Sequence, residues 1–155
     1  MLLGYLLDTN HVTALCNRNP VLVQKVESLP PNTQLRACAI TLGEFEVGHL
    51  ITQSTDQKKR DDATEFLNRV FLPNALPISP LTRLYYSQII ARIWRQQGPL
   101  KASTRTEIHL VTLGVDINDV WVVGVAWEHG LVMVTKDKME SIRKVVPEVQ
   151  MECWL

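Results

Sequence analysis

The sequence predicts an α/β protein in which short parallel strands form a sheet covered on both faces by helices. Three observations carry that expectation. The apolar runs Tyr5-Leu6-Leu7 and Leu131-Val132-Met133-Val134 are short and unbroken, as suits strands buried on both faces; a strand with one wet face would alternate. Stretches of helical spacing separate the strands, the pattern of a sheet built from crossover units. With 46% hydrophobic and 21% charged residues over 155 positions, the chain has material for one full core, so a single domain, 1-155, is expected.

Taken in order, Tyr5 to Leu7 is the first strand and ends abruptly at Asp8. Asn10 to Cys16 carries Val12, Ala14 and Leu15, consistent with a short helix. Pro20 suits the first turn of a second helix that turns Val21, Val23 and Val26 inward, until Pro30-Pro31 stops it. Leu35 to Ile40 returns to strand character. Thr41 is expected to cap a helix starting near Leu42, which places Glu44 in its first turn. Gln53 to Asp62 reads as a solvated loop or an exposed helix start. Ala63 to Phe71 has helical spacing through Phe66, Leu67 and Val70, and Leu76 to Ile78 is a brief third strand.

Leu81 to Gln97 is the clearest amphipathic helix, with Leu84, Tyr85, Ile89, Ile93 and Trp94 inward, Arg83, Arg92 and Arg95 outward, and Gly98 as its C-cap. Thr104 to Glu107 has capping-box spacing and announces a helix to Leu113. An acidic turn from Gly114 leads through Asp119 into an apolar helix ending at His129-Gly130. Leu131 to Val134 is a buried strand that stops at Thr135-Lys136-Asp137. Met139 to Val145 forms one more helix, and Val149 to Trp154 a last strand.

Charge and cysteine content narrow the function. Sixteen basic residues balance sixteen acidic ones, so no global positive field holds nucleic acid and any such contact must be local. A net charge near zero is compatible with an oligomer or a tight partner. Cys16, Cys38 and Cys153 are odd in number and form no Cys-x-x-Cys pair, which indicates neither a disulfide framework nor a zinc site. The N-terminus lacks a leader pattern and no apolar stretch reaches membrane-span length; the expectation is a reduced, cytoplasmic protein.

Four carboxylates stand out. Asp8, Glu44, Asp119 and Asp137 each fall at a strand end or in a first helical turn, and in a parallel sheet those ends share one edge, where ligands collect. Crowded carboxylates repel and raise one another's pKa values, a conflict that a divalent cation resolves. Oxygen-only ligands point to a hard ion, magnesium or manganese, able to lower the pKa of a bound water and to stabilise charge on a phosphate oxygen. The bland alternative is that these residues only cap helices.

Tyr-Leu-Leu-Asp-Thr-Asn at residues 5 to 10, Thr41-Leu42-Gly43-Glu44 with Gly48, Asn118-Asp119-Val120-Trp121-Val122-Val123, and Val134-Thr135-Lys136-Asp137 resemble, in order and over nearly the whole chain, the motifs of PIN domains, above all the VapC-like toxins of toxin-antitoxin pairs. The resemblance implies a three-layer α/β/α fold with a central, mainly parallel sheet. It also implies Mg2+- or Mn2+-dependent endoribonuclease activity on single-stranded RNA or exposed loops, frequent homodimers, and a small cognate antitoxin whose tail lies across the active site. Carried over by position, Asp8, Glu44 and Asp119 match the core acidic residues, Asp137 the more variable fourth, and Thr9, Asn10 and Thr135 the polar residues that support them. Two features depart from the pattern: the segment from Gly98 to Leu113 is longer than expected, and Val-Val-Gly-Val replaces a smaller, Ala-rich run after Asp119.

Other readings stand beside this one. A phosphohydrolase with Asp8 as nucleophile would carry a second aspartate two residues on, where this chain has Asn10. A PIN-like RNA-processing module, or a non-catalytic binding module, would lack a toxin role; the non-catalytic form is expected to lose a core carboxylate. Arg83, Arg92 and Arg95 are candidate RNA contacts or simply an exposed helix face. His11 could face the metal pocket, but a lone histidine beside a helix start reads more simply as packing. Asp116 could be an alternative ligand, although its turn favours bonding to its own backbone.

Overall fold

In the computed structural model, which describes residues 4–52 and 56–155, the first strand, β1 (Gly4–Leu7), is buried at every position and lies at the middle of the sheet. It pairs in parallel with β2 (Gln34–Arg36) on one side and β3 (Val132–Val134) on the other, with Tyr5 opposite both Leu35 and Val132. β3 in turn pairs in parallel with β4 (Met151–Glu152), giving the order β2-β1-β3-β4. The chain leaves β1 towards one edge and reaches β3 on the other side, so the switch in direction falls between β1 and β3.

The period-two alternation of strand side chains divides the core in two. Leu6 and Met133 point to one side, where they join Ile89, Ile93, Leu110, Val123, Ala126 and Ile142. These come from α5 (Thr82–Gln96), α6 (Glu107–Thr112), α7 (Ile117–Glu128) and α8 (Glu140–Val145). Tyr5, Leu7, Val132 and Val134 point the other way and meet Val12, Leu15, Leu22, Phe45 and Leu67, from α1 (Thr9–Cys16), α2 (Pro20–Glu27), α3 (Ala39–Ile51) and α4 (Gln57–Val70). The architecture is α/β/α in three layers, as expected. At about 1.5–3 kcal/mol for each large aliphatic side chain fully buried, both cores strongly favour keeping the sheet in place. Among the described residues no helix is long and apolar enough to cross a membrane.

Several local expectations are corrected. β2 stops at Arg36 and α3 starts at Ala39, not Leu42, so Glu44 lies in the second helical turn. The reason is tertiary: fully buried Ala37 and Cys38 are held by a single parallel bridge to Leu76 (Leu76 N to Ala37 O and Ala39 N to Leu76 O, both 2.9 Å), and the chain coils immediately after it. The expected strand at Leu76–Ile78 is only that bridge. Thr41 is therefore no cap but a buried residue inside α3.

The polar run after residue 55 is the start of α4, capped by Asp56, whose side chain accepts from Lys59 N; positions 53–55 lie outside the described residues. The capping box at Thr104 does not form, because Arg105 and Thr106 are extended and α6 begins only at Glu107. Gly98 is not a left-handed cap. It is needed because a Cβ there would meet the Trp94 ring and its Cα, the latter at 2.9 Å.

Candidate functional site

β1 ends where the Asp8 amide donates to Val134 O at 3.0 Å, which joins the two central strands at their carboxyl ends. Asp8 is extended and caps α1, its Oδ1 accepting from the His11 amide at 2.8 Å and the His11 ring at 2.7 Å. Its Oδ2 is buried and makes no hydrogen bond. Burial pushes the Asp8 carboxyl up, but the two bonds from the His11 ring and amide, with the polar influence of the nearby Thr135 hydroxyl, outweigh it and hold the group below the ordinary aspartate value.

Asp119 experiences the reverse. It sits in the first turn of α7, behind the N-cap Asp116, and is pushed up to about 7, chiefly by burial and then by the negative charges of Asp116, Asp137, Glu44 and Asp8. Glu44 bridges the two halves of the site: one oxygen accepts from the Thr9 hydroxyl of α1 and the other from Asn118 Nδ2 of α7 at 2.8 Å. The Asp137 amide is held at 3.0 Å by the hydroxyl of Thr135, which is fully buried.

All four acidic residues line one small cavity of about 50 Å³, together with Thr9, Asn10, Thr41, Val122 and Met133. It lies at the switch in strand order, where open parallel sheets place their ligands. Such a volume suits a hydrated ion or a reacting group, not a whole substrate. Among the described residues no three His, Cys, Asp or Glu side chains form a ready-made metal cage. Magnesium does not require one, since it keeps several waters and uses one or two carboxylates. The bare Oδ2 of Asp8 and the uncompensated charge around Asp119 fit such an ion.

Arg83, Arg92 and Arg95 do not line this cavity. They lie on α5, and Arg92 is occupied by Val145 O (2.8 Å), Glu148 (2.8 Å) and the Trp127 ring face. Two cations that share a groove with site residues are on α4. A groove of about 320 Å³ runs from Thr9 and Glu44 past Thr13, Asn17 and His49 to Lys59 and Arg60. Neither lysine nor arginine was legible as a site residue, because their surroundings are set by α4 folding over α1 and α3. His11, weighed from the sequence and read as packing, is indeed buried but also bonds Asp8, and Asn118 was noted only as part of a motif; for His11 the signal was its place three residues after an N-cap aspartate, where a side chain can reach back to the cap.

No protein-family model matches the sequence, and no curated protein is significantly similar to it. Solved structures are similar. The crystal structure of VapBC2 from Rickettsia felis bound to a promoter DNA fragment matches with a TM-score of 0.71 at 19% identity, covering 99% of this chain and 100% of that one. DNA-bound VapBC from Salmonella typhimurium matches at 0.69 and 19%, with 99% and 100% covered. The FitAcB structure from Neisseria gonorrhoeae matches at 0.64 and 22%, with 96% of each chain covered. At these identities the similarity establishes a common fold along the whole length.

Proposed function

We propose that this chain is a divalent-metal-dependent endoribonuclease and the toxin half of a toxin-antitoxin pair. The observation that carries the reading is the single cavity lined by Asp8, Glu44, Asp119 and Asp137, with Asp8 Oδ2 unbonded and Asp119 pushed up to about 7. Asp8 and Asp119 would hold Mg2+ or Mn2+, with Glu44 and Asp137 completing the negative field, through waters or directly. The bound ion supplies a water of lowered pKa and stabilises charge on the phosphate. Thr9 and Asn118 fix both oxygens of Glu44, so its carboxylate need not be reordered when substrate arrives, and Thr135 holds the main chain of Asp137 at the cavity. Val122 and Met133 give the cavity a dry wall, where electrostatic interactions are stronger than in water.

The groove that takes in Lys59 and Arg60 suits the backbone of a single strand: it combines hydroxyls and an amide with the Lys59 cation, and with Arg60, whose guanidinium is held by Thr52 O and Gln57. It meets the requirement, set by the zero net charge, that contacts to nucleic acid be local. On α3, the exposed Val47, Leu50 and Ile51 form an apolar surface beside the site, which supports a protein partner such as an antitoxin tail or a second copy in a homodimer. The VapBC and FitAcB neighbours support the same assignment, and the acidic cavity favours the toxin reading.

The test is incubation of the protein with end-labelled single-stranded RNA in magnesium, manganese and chelator, alongside a chromogenic phosphomonoester. RNA cleavage that chelator abolishes is expected. Hydrolysis of the monoester with intact RNA would replace the reading by a phosphohydrolase. Expression of the chain with and without its neighbouring reading frame tests the toxin role; unimpaired growth with the active protein alone would leave an RNA-processing nuclease.

A further inference from the structure

His11 is wholly buried, and a buried histidine needs partners for both ring nitrogens. Its Nε2 lies 3.3 Å from the backbone nitrogen of Trp154, 143 positions away in sequence, and its Nδ1 lies 2.7 Å from Asp8 Oδ1. A backbone N–H only donates, so Nε2 must be the accepting, unprotonated nitrogen. In the neutral ring the hydrogen then sits on Nδ1, directed at the carboxylate. Trp154 is itself anchored: it is 93% buried, and its ring meets the Tyr5 ring edge-on with centroids 4.7 Å apart. The amide that selects the tautomer is thus held by the core. Asp8 Oδ1 receives two hydrogen bonds, from the ring and from the His11 amide, while Oδ2 receives none in a residue that lines the acidic cavity.

We propose that His11 is a positioning residue. Its Nδ1–H, fixed in place by the Trp154 amide, pins Oδ1 of Asp8 to the start of α1 and so keeps Oδ2 bare for the ion. The inference rests on the metal-dependent reading above. The opposite tautomer would set a ring lone pair against a carboxylate lone pair at 2.7 Å and turn the carboxylate away. Hydrogen-bond partners of ligating side chains act in this way, by orienting a ligand they do not replace, and their loss commonly costs roughly ten- to hundred-fold in metal affinity.

The experiment compares Mn2+ binding by calorimetry for the wild type, His11→Asn and His11→Gln, with a nitrogen-detected histidine spectrum of the metal-free wild type. Asparagine places a donor where Nδ1 was and gives up the bond to Trp154. Glutamine reaches towards Trp154 and leaves Asp8 Oδ1 without its side-chain donor. The expected result is near wild-type affinity for His11→Asn, a loss of roughly ten- to hundred-fold for His11→Gln, and a spectrum with the hydrogen on Nδ1. A merely structural role would instead lower both affinities in step with the melting temperatures. That outcome, an unchanged His11→Gln, or a hydrogen on Nε2 would each overturn the proposal. A wild type that takes up no Mn2+ would overturn the metal reading first, and the role of His11 with it.

Discussion

Replacing Asp119 by asparagine in metal-free buffer should stabilise the fold, and by an amount that depends on pH. The folded chain holds the Asp119 proton until about pH 7, against an ordinary aspartate value of 3.8. Between those values the native state binds a proton that the unfolded state has released, so wild-type stability falls as pH rises from about 4 to about 7 and is level above that. At about 1.4 kcal/mol per pH unit the full interval corresponds to ~4 kcal/mol. Asp119 keeps part of its contact with water, and solvent screening reduces this to about 1–2 kcal/mol. In a chain of this size that is roughly 2 to 8 °C in melting temperature.

Thermal melts in chelator at pH 4.5 and pH 8 read the effect directly. The two proteins should melt close together at the lower pH, with the variant higher by that margin at pH 8. Added magnesium should then raise the wild type and barely move the variant, reversing the order. A variant less stable than wild type by the same amount at both pH values would refute the reasoning, because it would mean that the Asp119 carboxylate makes attractive contacts instead of facing uncompensated charge.

Asp8→Asn should do the opposite, although the residue belongs to the same cluster. It removes an anionic acceptor that caps α1 and bonds the His11 ring, so a loss of about 1–3 kcal/mol in urea unfolding is expected at neutral pH. Because the folded Asp8 value is lowered, that difference should shrink as acid protonates the wild-type carboxylate; a gap that persists unchanged in acid would argue against it. Lys59→Ala should raise KM for single-stranded RNA and lower the salt slope of binding by about 1, while Arg95→Ala, away from the groove, should leave both unchanged; equal effects would move the RNA path to α5. Gly98→Ala should cost about 1–3 kcal/mol by thermal melt, since the new Cβ meets Trp94, and a neutral result would mean that the turn after α5 relaxes freely.

The sequence by itself determined the layout. Unbroken apolar runs at Tyr5–Leu7 and Val132–Val134 are satisfied by burial on both faces, and a carboxylate at or just after the end of such a run lies at the sheet edge, which is why the places of Asp8 and Asp137 were legible from spacing, while their reading as site residues instead of caps leaned on the motif resemblance. The helix opening with Asp119 was legible for a similar reason, because Asp116 offers a local cap to the Asn118 amide. Tertiary structure decided the rest. The start of α3, and so the place of Glu44, follows from a bridge to Leu76, thirty-eight residues after Cys38. The neighbours of Lys59 and Arg60 follow from helices packed across α1. The tautomer of His11 follows from an amide near the end of the chain. Strand and helix periodicity are local consequences of backbone geometry and can be read from neighbours in sequence. A hydrogen bond or a charge repulsion depends on distance in space, and no local pattern encodes the distance between His11 and Trp154 or between Asp119 and Glu44.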